Sequence, residues 1–215
     1  MNCLIEKIVD LFKQSKLKSS EFNDFKFINF VKEKFKRPSK LKEGINIIDR
    51  QNISNDDYKL IEITRWSNNN NKFCVILGFN PTELDINEID KTNVKLINEL
   101  ENEYGGVILL NYHILRSKTK EEFSPQDDLN IEYNYKILPQ ILKLLIKEEI
   151  EVVIFWGRSN SFEKNIYDLL KQLQDNNKLK YTVKKDTKLH YHPGRCEIEI
   201  KSVSAESFAT SNYLL

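Results

Sequence analysis

Three short apolar runs constrain this fold most, because each resembles a buried strand that ends in glycine or a polar residue. They are FCVILGF at 73–79, VILLN at 107–111 and EVVIFWG at 151–157. Continuous apolar strands of this length are typical of parallel sheets that are covered on both faces. Helical spacing at 91–103, 131–147 and 159–173 alternates with the runs. The sequence therefore predicts an α/β domain with a mostly parallel sheet.

The first 55 residues have a different pattern. Apolar residues recur at helical spacing over 1–16 and again over 21–36, where Phe22, Phe25 and Phe30 form an aromatic stripe. This stripe is too apolar for a free tail. We expect residues 1–55 to form a helical extension packed on the core, and residues 56–215 to form the α/β domain.

The charge, the cysteine content and the length of the apolar runs indicate the compartment in which the chain is expected. The formal net charge is +1 and the chain has three cysteines, too few and too scattered for a disulfide framework. Charged residues interrupt every apolar run before it reaches the length of a membrane span, and no secretory signal is visible. We expect a cytoplasmic monomer with reduced thiols and no membrane partner.

Polar or aromatic residues follow four predicted strands at their carboxyl ends. They are Asn80, Asn111, Trp156 with Gly157, and His192, which comes after a short strand predicted over 180–183. In open α/β sheets, ligands bind in the crevice beyond the carboxyl ends of the strands. We therefore expect these four segments to converge on one site.

The same segments resemble known motifs. Gly78-Phe79-Asn80-Pro81 resembles motif A of the uracil-DNA glycosylase superfamily, VILLN and VVIFWG resemble its second and third strands, and His192-Pro193-Gly194 resembles motif B. The stretches NPTELDINEIDKTN, NYHILRSKTKEEF and HYHPG are closer still to a bacterial and phage family catalogued as a domain of unknown function. The resemblance covers about Tyr58 to Val203.

The resemblance implies a three-layer αβα fold and a DNA glycosylase that flips a base out of duplex DNA and hydrolyses its N-glycosidic bond. It gives His192 the role of stabilising the departing base anion, Asn111 that of reading the base edge, and Asn80 that of holding water. Asp85 and Asp90 are candidates for an assisting carboxylate, because an amide is no general base. The remaining base-binding candidates are Gly78, Phe79, Pro81, Thr82 and Trp156.

DNA contacts are expected from basic residues near the motifs. Arg195 is placed to fill the gap left by a flipped base, and the residues expected to bind phosphates are Lys184, Lys185, Lys188, Arg116 and Lys118. No metal or organic cofactor is expected. His190, His192 and Cys196 offer an alternative metal site, but it lacks a clear fourth ligand.

Simpler interpretations stay open for each residue. Asn80-Pro81 is also a common turn, and Asp90 also suits the N-cap of the helix that begins at Lys91. Asn111 also suits a cap of the segment that follows it, Trp156 also suits the core, and His192 also suits an ordinary loop. A non-catalytic binder of DNA or nucleotides is a further alternative, favoured by the missing motif A carboxylate.

Thr82 bears on the substrate. Uracil-specific members of the superfamily have a tyrosine after the motif A proline, which crowds the C5 edge of the pyrimidine. The smaller Thr82 leaves room there. We expect a C5-modified pyrimidine as substrate, such as modified cytosine in phage DNA that is excised in antiviral defence. Repair of uracil or a damaged base is the alternative.

Overall fold

The described residues form one eight-stranded sheet. A computed structural model of the chain describes residues 2–14, 25–29, 31–81, 85–116, 128–155, 163–185 and 196–202. The spatial order of the strands is β1-β2-β3-β5-β4-β6-β7-β8. Their bounds are β1 (Lys26–Asn29), β2 (Asp49–Ser54), β3 (Lys59–Arg65), β4 (Phe73–Gly78), β5 (Gly106–Asn111), β6 (Val152–Ile154), β7 (Leu179–Lys184) and β8 (Ile198–Ser202).

The prediction of a mostly parallel sheet is wrong. β4 pairs in parallel with β5 and β6, and β6 does so with β7. The other four pairings are antiparallel. The reason lies in the connections, since a tight turn at 55–58 forces β3 to run back along β2. Only connections that contain a helix cross over to a parallel strand.

The helices are distributed unequally over the two faces. They are α1 (Asn2–Gln14), α2 (Lys91–Leu100), α3 (Asp128–Glu132), α4 (Leu138–Lys147) and α5 (Lys164–Asp175), and a π-helical turn (Tyr133–Ile137) joins α3 to α4. One face packs against α1, α3–α4 and α5. In the described part of the chain, the other face packs against α2 and the coil of 35–48. The expected three-layer αβα arrangement is therefore also wrong.

Two helices begin at residues that suit a helix start, and one of them is the predicted N-cap of α2. Pro139 lies in the first turn of α4, directly after the π-helical turn, where its missing N–H is tolerated. Asp90 is the N-cap of α2, and its carboxylate accepts a hydrogen bond from the Asn93 N–H at 2.7 Å. No helix of the described ranges has the length and apolar character that crossing a bilayer requires.

The amino-terminal region contributes to the sheet. The helix predicted over 1–16 is confirmed as α1, which buries Ile8, Val9 and Phe12. The helix predicted over 21–36 is wrong in its described part, because residues 26–29 form β1 and 32–34 a short 3₁₀ helix. Both β1 and β2 precede residue 55 and belong to the sheet. Phe25 packs against the core, whereas Phe22 and Phe30 lie outside the described residues.

Candidate functional site at the carboxyl ends of the parallel strands

Four strand ends meet at one edge of the sheet. Because β4, β5, β6 and β7 run in the same direction, Gly78, Asn111, Ile154 and Lys184 end their strands side by side. β8 runs back from this edge, where Lys184 pairs with Ile198. The strands that precede Asn80, Asn111 and Trp156 thus end at one edge of the sheet, whereas Trp156, Gly157 and His192 themselves lie outside the described residues.

Gly78 is the point of closest approach within this edge. It pairs with Asn111 of the neighbouring strand. A Cβ atom added to Gly78 would lie 2.6 Å from Asn111 Oδ1 and 2.6 Å from Phe155 Cζ. Glycine is needed here because side chains from both flanking strands occupy the space above its Cα. The motif A glycine thus brings an amide and an aromatic ring together.

The Asn111 side chain is buried, with 2% of its surface exposed. A buried side-chain amide gains free energy from each polar group with which it forms a hydrogen bond. Asn111 therefore has the donors and the acceptor with which to recognise a polar edge.

The sheet opens next to Asn111. Glu62 of β3 lies opposite Leu109, but Tyr58 lies opposite Leu115. Between these two pairs the chain advances four residues at the start of β3 (62 − 58) but six at and beyond the end of β5 (115 − 109). The two additional residues interrupt regular pairing immediately after Leu109.

Aromatic rings line the opposite face of the same strand ends. Phe79 stacks on Tyr112 with ring centroids 6.0 Å apart, and His113 meets both rings edge-on. The Phe79 carbonyl accepts a hydrogen bond from the His113 N–H at 2.8 Å. The Tyr112 hydroxyl donates to a carboxylate oxygen of Glu163, the residue before α5. Phe79 is only partly buried and can present a ring face to a ligand.

Burial shifts the acid–base properties of this aromatic group. It raises the pKa of Tyr112, as does the hydrogen bond to Glu163. It lowers the pKa of His113 to about 4. His113 is therefore a neutral imidazole at pH 7.

The described motif A residues differ in exposure. Asn80 is exposed and Pro81 is buried, so the amide faces outward while the ring anchors the turn. This arrangement also fits the simpler interpretation of Asn80-Pro81 as a turn.

Both candidate carboxylates already have backbone partners. Asp85 Oδ1 accepts from the Asn87 N–H at 2.7 Å, and this hydrogen bond lowers the pKa of Asp85. Asp90 caps α2, and burial raises its pKa. These hydrogen bonds fix the loop that leads from motif A to α2.

A buried group of three charged residues lies beside the site and was missed from the sequence. Glu62 binds Arg50 through one carboxylate oxygen and Lys59 through the other, the latter at 3.1 Å. Each residue is at most 4% exposed. Burial opposes ionisation of Glu62, but the charges of Lys59 and Arg50 outweigh it and hold its pKa below the usual value. We call these residues the buried triad.

The buried triad also holds the loop after motif A. Arg50 donates to the carbonyl oxygen of Ile86 and, at 2.9 Å, to that of Glu88. Its Nε donates to Thr64 at 3.3 Å. Glu62 and Thr64 alternate with apolar residues along KLIEITR, a pattern that is typical of residues facing solvent. A charged residue inside an otherwise apolar strand was the available signal of a buried ion pair.

The described basic candidates lie at the same edge. Lys184 and Lys185 are exposed at the carboxyl end of β7, and Arg116 follows the bridge between Tyr58 and Leu115. The candidates outside the described residues are Thr82, Trp156, Lys118, Lys188, His192 and Arg195. Their roles stay predictions. Lys185 and Cys196, the described residues that flank the His192 segment, lie next to the paired ends of β7 and β8.

A metal centre has no support in the described ranges, where no three metal-ligating side chains form a group. His190 and His192 lie outside those ranges, so the alternative metal site is not tested. Cys196 is a partly buried free thiol, and its carbonyl oxygen accepts from Lys95 Nζ at 2.9 Å.

Comparison with known proteins gives one match. A family model described as protein of unknown function (DUF1643) matches residues 58–193, more than half of the chain. No curated protein and no solved structure matches. The matched region begins at Tyr58, next to β3, and includes the first three motifs and His192-Pro193 of the fourth.

Proposed function

The chain belongs to the DUF1643 family of proteins of unknown function, and from that premise we propose that it is a DNA glycosylase acting on a modified pyrimidine. The observation that carries the proposal is the contact at Gly78, where the Asn111 amide and the Phe155 ring meet at the ends of three parallel strands. A buried amide beside an aromatic ring suits a site that reads and stacks an extruded base. The proposed link to the uracil-DNA glycosylase superfamily rests on the four sequence motifs and not on sheet topology.

The proposed reaction is hydrolysis. The bond between C1′ of the sugar and the base nitrogen breaks, the base leaves with the electron pair, and water supplies the hydroxyl to C1′ and a proton to the base. The departing base carries negative charge, which donors at Asn111 and, by resemblance, His192 stabilise. Asn80 orients the water through its amide.

The carboxylates near the site already bind other groups of the protein, which supports a dissociative reaction, in which the base departs before water attacks. Asp85 and Asp90 hold backbone N–H groups, and Glu62 binds two cations. The pKa of Asp85 and that of Glu62 are lowered, so both are weak bases, whereas burial raises the pKa of Asp90, whose carboxylate is occupied as the N-cap of α2. The proposal therefore has the base depart before water attacks, with no carboxylate needed to deprotonate the water.

The substrate follows from Thr82, which in this sequence replaces the bulky residue of uracil-specific enzymes. Space at C5 admits a hydroxymethyl or sugar substituent. A site with donors for those hydroxyls would reject unmodified cytosine strongly. Modified cytosine in phage DNA is the substrate we propose, with antiviral defence as its purpose.

The test is mass analysis of free bases released from DNA that contains uracil, cytosine, hydroxymethylcytosine or glucosylated hydroxymethylcytosine. We expect release from the modified cytosines. Asn80→Ala and His192→Ala should each lose ~100-fold in rate, as for other single transition-state groups. Asn69→Ala is the matched control, because Asn69 lies in the exposed loop at the opposite edge of the sheet.

Each other outcome identifies a different function. Release of uracil alone would replace the proposed substrate with a repair substrate. DNA binding without release of any base would support the non-catalytic binder. Full activity in both variants would refute the assignment of the site.

A further inference from the structure

A cavity lies at the same edge of the sheet as Asn111, next to the ends of β1, β2 and β3. Lys26 of β1 pairs with Ser54 of β2, and Ser54 pairs with Lys59 of β3. Because β3 runs antiparallel to β5, these ends lie at the edge where Asn111 ends its strand. A cavity of about 480 Å³ lies here. Its volume falls within the usual range of small-molecule sites.

The lining of this cavity combines two cations with two carboxylates. Lys26 and Arg116 supply the positive charges, and Asp56 and Asp57 supply the negative charges. Ile28, which is 39% exposed, adds an apolar surface. A simple anion would gain from the cations but be repelled by the carboxylates. A nucleotide has a partner for all three kinds of group: a phosphate, a base amino group and an apolar base face.

The turn that carries the carboxylates is rigid. Asn55 Oδ1 accepts from the N–H groups of Asp57 at 3.1 Å and Tyr58 at 2.7 Å. The Asp57 carbonyl accepts from the Arg116 N–H at 2.8 Å. The backbone that carries the acidic residues and the backbone of Arg116 are therefore held in one arrangement before a ligand binds. This lowers the entropic cost of binding.

The spacing between this cavity and the candidate site matches a DNA strand. β2 lies two strand positions from β5, which is ~10 Å at the usual separation of neighbouring strands. The rise per nucleotide along the axis of B-form DNA is ~3.4 Å. Measured along that axis, the cavity thus lies about three nucleotide steps from the base held at Asn111.

We propose that this cavity is a second nucleotide subsite, which holds a flanking nucleotide of the DNA strand whose base enters the candidate site. Lys26 and Arg116 bind its phosphate. Asp56 and Asp57 accept hydrogen bonds from the amino group of a cytosine or adenine base. The subsite therefore prefers an amino-bearing base at a fixed distance from the excised one. This inference rests on the proposed function.

The first arm of the test measures affinity for a modified oligonucleotide against salt concentration. Lys26→Ala and Arg116→Ala should each weaken binding and reduce the slope of log affinity against log salt by ~1. Lys143→Ala and Lys171→Ala are the matched controls, since both remove an exposed lysine from the helical layer, on α4 and α5. They should leave affinity and slope unchanged.

The second arm scans the flanking sequence. With the wild-type protein, replacing cytosine or adenine by thymine about three positions from the modified base should weaken binding about tenfold or more, as for one lost base contact. The double variant Asp56→Asn, Asp57→Asn should lose that preference. Base identity without effect at every flanking position would overturn the amino-group contact.

The subsite and the proposed function fail separately. Base release by the wild-type protein, with salt slopes in Lys26→Ala and Arg116→Ala equal to the controls, would overturn the subsite alone. DNA binding with the expected slopes, but no base release, would overturn the glycosylase and keep the subsite. Absence of DNA binding by the wild-type protein would overturn both.

Discussion

Replacement of Gly78 by alanine tests the geometry of the candidate site most directly. The added methyl group would lie 2.6 Å from both Asn111 Oδ1 and Phe155 Cζ. Optimal carbon–carbon contact is about 3.5–4.0 Å, so the Phe155 ring must withdraw by roughly 0.9–1.4 Å. Both neighbours are buried and cannot move outward freely. Overpacking of this kind costs about 1–3 kcal/mol of unfolding free energy.

The same displacement should impair function more than stability. Misplacement of a reacting group by ~1 Å lowers rates by about 100-fold. We expect Gly78→Ala to stay folded, to unfold at lower urea concentration, and to release base at about one hundredth of the wild-type rate. Urea denaturation followed by tryptophan fluorescence measures the first effect, and mass analysis of released base measures the second.

Gly44→Ala is the matched control. Gly44 has a φ of 91°, so alanine is strained there, but no heavy atom lies within 4 Å of an added Cβ. The strain should cost on the order of 1 kcal/mol without disturbing the candidate site. Loss of activity in Gly78→Ala alone would therefore report local geometry. Wild-type stability and activity in Gly78→Ala would refute the reasoning.

A double-mutant cycle isolates the clash with the ring. Phe155→Leu removes the atoms nearest the added methyl group, so it should destabilise Gly78→Ala less than it destabilises the wild type. We expect a coupling energy on the order of 1 kcal/mol from urea denaturation. Additive effects would show that Phe155 does not cause the cost.

Three further predictions concern the buried charges, the buried imidazole and the metal requirement. Glu62→Gln should cost ~3–5 kcal/mol in urea denaturation, because it leaves Lys59 and Arg50 buried without a carboxylate; a loss below 1 kcal/mol would show that the triad is well solvated. His113 binds a proton more weakly when folded, so it contributes ~3 kcal/mol of stability above pH 6.5 that is lost as pH falls to about 4. His113→Gln should flatten the stability profile across that window, and an NMR titration of His113 near pH 6.5 would contradict the assignment. Base release should persist in excess chelator, whereas zinc-dependent release would revive His190, His192 and Cys196 as ligands.

Local sequence predicted the elements whose pattern matches their burial. β4, β5, β6, β7 and α2 were predicted because apolar runs and the Asp90 cap are local signals. β1 and β2 were not. In β2 the inward residues are polar, with Arg50, Asn52 and Ser54 buried, so no hydrophobic alternation marks the strand. Such residues are stabilised by partners on other strands, which a local pattern does not contain.

The prediction of a mostly parallel sheet was wrong for the same kind of reason. Alternation of strands and helices was visible from Phe73 onward and correctly indicated three parallel pairings. The antiparallel strands on both sides depend on which edges remain available after the crossovers. That choice is set by pairing between distant residues and not by sequence periodicity.

The strand ends on which the candidate site is proposed were predicted from the sequence, but the residues that surround them were not. The end of each apolar strand marked Asn80 and Asn111, because a polar residue there has few structural reasons to be present. The tight contact between Gly78 and its neighbours follows from strand register, which the motif alone does not specify. Tyr112, His113 and the buried triad were missed, since their burial depends on residues that are distant in the sequence.

The antiparallel half of the sheet explains how the loop after motif A is held. A buried salt bridge is weak evidence for stability, because desolvation offsets much of the attraction. Arg50 also donates to two carbonyl groups of that loop, so its charge links β2 and β3 to the chain that follows Asn80 and Pro81. The parallel strands thus supply the amide and the ring, whereas the antiparallel strands supply the support that holds the neighbouring loop. Because both halves of the sheet end at the same edge, the antiparallel strands β2 and β3 lie where they can hold the loop next to the candidate site.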